Sequence, residues 1–507
     1  MFQKLKQLFT HTTTYGMGDI ATSVVGLLLL PVFTRYLSPA EYGVIALLLS
    51  VEAVTKVLFR WGVDSAYLRL SYDYPKWEAR QRLASTIFFF LVIVNGGLLV
   101  VGLAVSPWIA TQLFAIPEHI NTLRLVLINT YAIGLFFLPF QTMRFEQRSR
   151  RFASVAFSRS ALTLVMRLVL VVGIGLGVRG VVLADLVVTA VYAVVLGYWY
   201  RGLIRGTGSM NMLWDALKFG LPRLPHGIAH QATAVSDRYL LSTLATVSDV
   251  GVYAIGASIG LGMKYFTAAF QTAWSPFLFE MMDQPNARDT HRTVATYVFL
   301  TLVLLAAGLS ALADDLVRIL TPDEFHAAAI VVPWISVGVL FQGIYQLTSV
   351  GLAITKQTQY YPITTALAAA TNITANLALI PAYGILGAAW ANTASYGVLA
   401  AAGMMFSQRH YPMRYEWGRL SRICAAGVVA YVCARTVPVA PFGAIGGLLV
   451  RGVTVCLSYA AVLMVLRFFR ATEVARLRRL FVTAIAGAPA SSTLTPDDDE
   501  QRELNIP

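Results

Sequence analysis

Along the chain, long apolar stretches alternate with short polar breaks. About 20 mostly apolar residues are enough to cross a bilayer as a helix. Stretches of that length fall near 12–34, 41–66, 83–110, 121–143, 154–177 and 180–200. Six more fall near 214–244, 250–275, 293–313, 329–354, 361–381 and 386–407, and two further ones near 420–437 and 444–468. The pattern predicts an all-α, polytopic membrane protein with about 14 transmembrane helices.

An internal repeat organises these spans. Ser38-Pro39-Ala40-Glu41-Tyr42-Gly43-Val44-Ile45-Ala46 recurs as Thr246-Val247-Ser248-Asp249-Val250-Gly251-Val252-Tyr253-Ala254, an offset of 208. Gly177-Val178-Arg179-Gly180, continuing to Ala184-Asp185, recurs as Gly384-Ile385-Leu386-Gly387, continuing to Ala391-Asn392, an offset of 207. Two six-helix lobes of the same orientation are expected, 1–210 and 211–410, with any site at their interface. Residues 411–470 add two helices. Residues 471–507 read as a cytoplasmic basic segment and a disordered acidic tail containing Asp497-Asp498-Asp499-Glu500.

Composition supports the same class. Of the 507 residues 57% are apolar and only 13% charged, and the mean hydropathy is +0.64. That is too little charge to cover soluble domains. It excludes a cytosolic enzyme and, despite the pI of 9.7, a nucleic-acid binder. With the N-terminus placed inside, the inner loops, adjoining span ends and both terminal segments hold 26 Lys and Arg, while the outer loops hold only Arg35, Arg179 and Arg318. That asymmetry predicts both termini in the cytoplasm. No signal peptide is expected. Cys424, Cys433 and Cys456 have neither metal nor redox spacing.

Charges inside spans are costly, so they mark a water-filled or substrate-facing interior. Glu52, Lys56, Arg60 and Asp64 succeed one another at four-residue spacing, which aligns them along one face. Arg223, His226, His230 and Asp237 fall within a sector of about 60° at 100° per residue. Lys264 and Gln271 share a face of the next span, and Arg159 and Arg167 lie two turns apart. At the repeat offset Lys56 matches Lys264. Together with Arg124, Arg238, Arg435 and Arg451, and against Asp19, Asp185 and the acids above, the interior holds more cations than carboxylates. Asn372, Asn376, Gln342, Tyr345 and Gln346 read as interhelical hydrogen-bonding groups. No Walker loop, G-x-S-x-G or H-E-x-x-H occurs, so neither an enzyme nor a cofactor is expected.

The stretch Leu27 to Gly43, containing Leu30-Pro31-Val32-Phe33-Thr34-Arg35-Tyr36-Leu37-Ser38-Pro39, resembles the opening of polysaccharide-biosynthesis membrane proteins. These are the Wzx-type oligosaccharide flippases of the MOP (multidrug/oligosaccharidyl-lipid/polysaccharide) superfamily. Leu221-Pro222 with Pro225-His226, then Ser236-Asp237-Arg238-Tyr239, resembles the family's seventh span, and Trp274-Ser275-Pro276 the end of its eighth. The resemblance implies a two-lobed, alternating-access transporter in the bacterial inner membrane. Its cargo would be undecaprenyl-diphosphate-linked oligosaccharide bound for surface polysaccharide such as O-antigen or exopolysaccharide, with a polysaccharide polymerase as a further candidate partner. On that reading Lys56, Arg60, Arg223, Arg238 and Lys264 would hold the diphosphate. Glu52, Asp64, Arg159, Arg167, His226, His230 and Gln271 would line the cavity. Asp19 and Asp237 would be the candidates for coupling to H+ or Na+. A peptidoglycan-precursor flippase and a cation-coupled drug exporter are the alternatives of the same fold. A membrane glycosyltransferase or ligase fits the short outer loops less well.

Overall fold

A computed structural model describes residues 29–74, 76–281, 287–438 and 443–470. Every regular element among them is helical. In the first half these are α1 (Pro39–Arg60), α2 (Val63–Asp73), α3 (Trp77–Trp108), α4 (Ile120–Gly134), α5 (Phe137–Phe145), α6 (Ser149–Arg167) and α7 (Gly177–Tyr200). The second half contains α8 (Met210–Gly220), α9 (Leu224–Leu244), α10 (Val247–Gly260), α11 (Met263–Met281), α12 (Ala287–Leu320), α13 (Val332–Thr348), α14 (Val350–Ile354) and α15 (Tyr360–His410). Last come α16 (Trp417–Thr436) and α17 (Gly443–Val465).

Nine helical stretches among the described residues are long and apolar enough to cross a membrane. One of them, α15, is 51 residues long. At 1.5 Å per residue a straight helix of that length would run about 76 Å, far beyond a hydrocarbon core of about 30 Å. Gly384 resolves this by leaving the helical region, with φ 52° and ψ −127°. The two arms fold back on each other, and the Ser395 hydroxyl donates to the Ala368 carbonyl at 2.8 Å. The expected spans 361–381 and 386–407 are these two arms.

Several other expected spans are broken, among them the matched pair near 41–66 and 250–275. The span expected near 41–66 stops at Trp61 and Gly62, both left-handed (φ 51° and 67°). Asn95 of α3 holds the break: it accepts from the Trp61 indole at 2.8 Å and donates to the Phe59 carbonyl at 2.7 Å. The span expected near 250–275 is a 14-residue α10, a turn at Leu261–Gly262, and α11. Uninterrupted hydropathy hides such breaks, because a buried turn is as apolar as a helix.

The sequence repeat reappears as repeated geometry. Ser38 and Thr246 each accept from the backbone N–H three residues on (3.3 and 3.1 Å), while Glu41 and Asp249 accept in return from the cap N–H (2.9 and 3.1 Å). The two capped helices then cross at their matched glycines. A Cβ on Gly43 would lie 1.9 Å from the Val247 carbonyl oxygen, and one on Gly251 would lie 2.0 Å from that of Pro39. Val247 is to Pro39 as Gly251 is to Gly43, so the contact is self-complementary across a local two-fold. Gly177 and Gly384 repeat as left-handed glycines (φ 53° and 52°). Around the α1–α10 crossing the largest apolar core joins the halves, with Leu47, Val250, Ile255 and Phe325 fully buried.

The last two helices pack on α12 through a second core containing Ile423, Ala426, Ala430, Val455 and Tyr459. Ion pairs fix them: Arg435 to Asp314, and Arg451 to Asp315 at 2.8 Å. This accounts for two of the cations that the sequence places inside spans.

Candidate functional site

A cavity of about 830 Å³ opens among the helices of the first half. Its wall comes from α1, α4, α5 and α6, closed by Asp64 of α2, Asp185 of α7 and Gln231 of α9. The four-residue ladder predicted in the sequence lies on this wall, since Glu52, Lys56, Arg60 and Asp64 all line it. The break at Trp61–Gly62 lets Asp64 stay on the same side as α1.

Most of the charges are paired. Lys56 bridges to Glu52, and Arg60 lies 3.8 Å from Asp64. Arg167 grips Asp185 with two parallel bonds, Nε to Oδ1 at 2.9 Å and Nη2 to Oδ2 at 2.7 Å. That fork joins α6 to α7 and fixes one end of the cavity. Arg144 stacks its guanidinium 5.0 Å from the Phe152 ring. Arg159 lines the cavity and makes no ion pair among the described residues. Among the described residues five cations thus face three carboxylates, a surplus of two positive charges on the wall.

Three buried polar atoms of these wall residues have no hydrogen-bond partner among the described residues: Arg159 Nε, Asn129 Oδ1 and Gln141 Oε1. Buried polar groups are nearly always satisfied, so each of the three has a bond still to make. In a low-dielectric surround the unbalanced guanidinium attracts anions far more strongly than it would in bulk water.

The remaining predicted residues are distributed elsewhere. Asp237 is buried and accepts four bonds: from Asn372 (2.9 Å), Asn376 (2.8 Å), Asn392 (2.8 Å) and the Tyr253 hydroxyl (2.9 Å). It therefore serves a polar node of the second half and meets no cation side chain among the described residues. Lys264 follows the break after α10, and its ammonium lies 5.8 Å from the centre of the Tyr396 ring. It is not on the wall of the large cavity, and neither is Arg238. The structure therefore does not set Lys56 and Lys264 facing each other there, because the turn at Leu261–Gly262 intervenes in one half and the matched helix continues in the other. Gln271 lines a separate cavity of about 260 Å³ in the second half, beside stacked Phe270 and Trp274 and with Tyr345, Gln346 and Tyr361. Asp19 lies outside the described residues, as do the side chains of Arg223, His226 and His230.

Sequence reasoning overlooked Arg144, Asn129 and Gln141 as cavity residues. Arg144 reads as an inner-loop cation, and nothing in spacing separates a cavity amide from an interhelical one. Asp185 carried a signal, because the repeat matches it to Asn392. Asp185 closes the ionic node of the first half and Asn392 contributes to that of the second.

Helices repeated in two halves around a charged interior define the fold of the chain. Solved structures with this fold include the lipid II flippase MurJ in an inward closed conformation, 14% identical over 88% of this chain and 97% of that one, with a TM-score of 0.72. An outward-facing multidrug resistance MATE family transporter is 15% identical over 82% and 96%, with a TM-score of 0.57. A MOP superfamily transporter from Pyrococcus furiosus, whose binding pocket is described as having reverse polarity, is 15% identical over 82% and 96%, at 0.53. A search of curated protein sequences finds no match. The family model for polysaccharide biosynthesis protein matches residues 32–330, more than half of the chain, and the chain belongs to that family.

Proposed function

We propose that the protein is a flippase that carries undecaprenyl-diphosphate-linked oligosaccharide from the cytoplasmic to the periplasmic leaflet by alternating access. The observation that carries this reading is the positive surplus of the large cavity among its described residues, where Arg159 makes no ion pair. A diphosphate is the part of such a substrate that membrane lipid opposes most strongly, and a guanidinium can replace its hydration with paired bonds. Lys56 and Arg60 hold it alongside Arg159. Glu52 and Asp64 take the two cations back on release, which keeps the site from binding too tightly. Membership of the polysaccharide biosynthesis family supports the lipid-linked sugar as cargo.

On this reading the chain has 14 spans and cytoplasmic termini in the inner membrane, with lobes at 1–210 and 211–410 that rock about the α1–α10 crossing. The amide and aromatic groups of the smaller cavity accommodate sugar. Asp237, and Asp19 in the first span, are the places where H+ or Na+ couples to the cycle. A cationic drug as cargo is disfavoured, since it would meet a wall of its own sign.

Disruption of the gene in its host tests the proposal. Lipid-linked oligosaccharide should accumulate on the cytoplasmic face while surface polysaccharide falls and peptidoglycan synthesis continues. Arrest of peptidoglycan synthesis instead would identify the peptidoglycan precursor as cargo. An unchanged polysaccharide level with increased drug sensitivity would point to an exporter.

A further inference from the structure

We propose that the arginine-lined cavity between α12, α16 and the residues after α17 is a binding site for the phosphate headgroup of an anionic membrane lipid. The cavity measures about 500 Å³ and lies apart from the large cavity of the first half. Among the described residues its wall holds Arg292, Arg414, Arg419, Arg422, Arg467 and Arg470 and one carboxylate, Glu416.

That carboxylate is already engaged. One of its oxygens accepts from Arg419 Nη1 and from the Thr296 hydroxyl, each at 3.0 Å, and the other accepts from Arg470. Arg292 leans on exposed Asp289 at 3.4 Å. Arg414, Arg422 and Arg467 make no ion pair among the described residues. Arg422 Nη1 instead donates to the Arg467 carbonyl at 3.1 Å, which draws the two residues together with no acid between them. Cations gathered in this way attract an anion, and the planar fork of arginine suits a phosphate.

The wall is built by the fold rather than left to mobile side chains. Arg467 is left-handed (φ 50°), and the chain closes α17 through Arg467 N–H to the Met464 carbonyl (3.0 Å) and Phe468 N–H to the Leu463 carbonyl (2.9 Å). This turn buries Phe468 beneath the Arg419 guanidinium, 4.3 Å from the ring centre.

The rim selects a lipid over a free anion. Met464 and Val465, just before the turn, are 64% and 80% exposed, and Trp417 at the other edge is 63% exposed. Apolar side chains and a tryptophan at the end of membrane helices provide surface for acyl chains and a belt at headgroup level. On the proposed topology this end faces the cytoplasm, where basic pockets between helices recruit acidic headgroups.

The test uses the full-length purified protein in mixed micelles and a double substitution, Arg414→Gln with Arg422→Gln, which removes two cations without breaking an ion pair among the described residues. Native mass spectrometry should retain phosphatidylglycerol over phosphatidylcholine on the wild type, and the double variant should lose about tenfold or more of that affinity. If the double variant melts earlier in lipid-free detergent, Arg414→Lys with Arg422→Lys replaces it; keeping charge without the fork, it should show a smaller loss. Equal retention of the two lipids, an unchanged variant, or displacement of phosphatidylglycerol by millimolar inorganic phosphate would overturn the proposal. None of these residues lines the large cavity, so failure here would leave the flippase reading standing.

Discussion

The crossing of α1 and α10 makes a quantitative prediction through Gly43 and Gly251. An alanine Cβ at Gly43 would sit 1.9 Å from the Val247 oxygen, where ordinary contact begins at 3.4 Å. The partner is backbone on a capped helix, so no side chain can rotate away and the helices must separate by about 1.5 Å. A gap of 0.5–1 Å already forfeits a quarter to a half of each dispersion contact. Overpacking of this kind costs typically about 1–3 kcal/mol, offset by roughly 0.5–1 kcal/mol because alanine favours the helix over glycine. Gly43→Ala and Gly251→Ala should each destabilise by about 1–2 kcal/mol on this basis. The local two-fold adds a sharper expectation. The separation that accommodates one methyl also accommodates the other, so Gly43→Ala with Gly251→Ala should cost little more than either alone. The coupling in a double-mutant cycle should then be about 1–2 kcal/mol, well above the ~0.3–0.5 kcal/mol scatter of independent sites. Reversible unfolding in mixed detergent micelles measures all three variants. Additive costs, or single variants within about 0.5 kcal/mol of wild type, would refute the crossing as described.

Other positions separate stability from transport. Arg167→Ala strands the half-buried Asp185 carboxylate and should lower unfolding stability by about 1.5–3 kcal/mol, whereas Arg159→Ala removes a cation that has no ion pair among the described residues and should leave the melting midpoint unchanged while reducing headgroup affinity. Calorimetry and binding on the same two variants would expose an error if the pattern came out reversed. Asp237→Leu deprives three asparagines and Tyr253 of their acceptor and should destabilise by several kcal/mol, at about 1–3 per stranded donor, while Tyr253→Phe should cost only about 1 kcal/mol. Equal effects in chemical unfolding would argue against a shared node. Gly384→Ala forces a Cβ into a backbone conformation worth roughly 1–3 kcal/mol of strain, so the fraction of folded protein by size-exclusion fluorescence should fall.

Much of this molecule was legible before any coordinates. The helical class follows from the lengths of the apolar stretches, and the ladder from Glu52 to Asp64 does occupy one wall. The repeat was readable because it rests on residues with narrow backbone roles: Ser38 and Thr246 as caps, Gly43 and Gly251 as close-approach points, Gly177 and Gly384 as left-handed turns. What escaped depends on where helices break. The span containing Lys264 is interrupted at Leu261–Gly262, a dipeptide no less apolar than its neighbours, so matching Lys264 to Lys56 by offset alone put it opposite the wrong neighbours. The donors to Asp237 come from the two arms of α15 and from α10, and spacing along one helix has no means of reporting partners on other helices. Arg144 was hidden for another reason: a cation near a span end reads equally well as a topology marker or as a wall of the cavity.

The central claim is that the cationic cavity carries a lipid-linked diphosphate across the membrane. Purified protein in sealed proteoliposomes, with undecaprenyl-diphosphate-linked oligosaccharide in one leaflet and an external lectin reporting its arrival in the other, tests that claim most directly. A charge-assisted bond to phosphate is worth about 1.5–3 kcal/mol, or roughly 10- to 150-fold. The wild type should move the lipid, and Arg159→Ala should slow transfer at limiting substrate by at least tenfold with folding intact. Transfer by Arg159→Ala at the wild-type rate, or none by the wild type, would contradict the account.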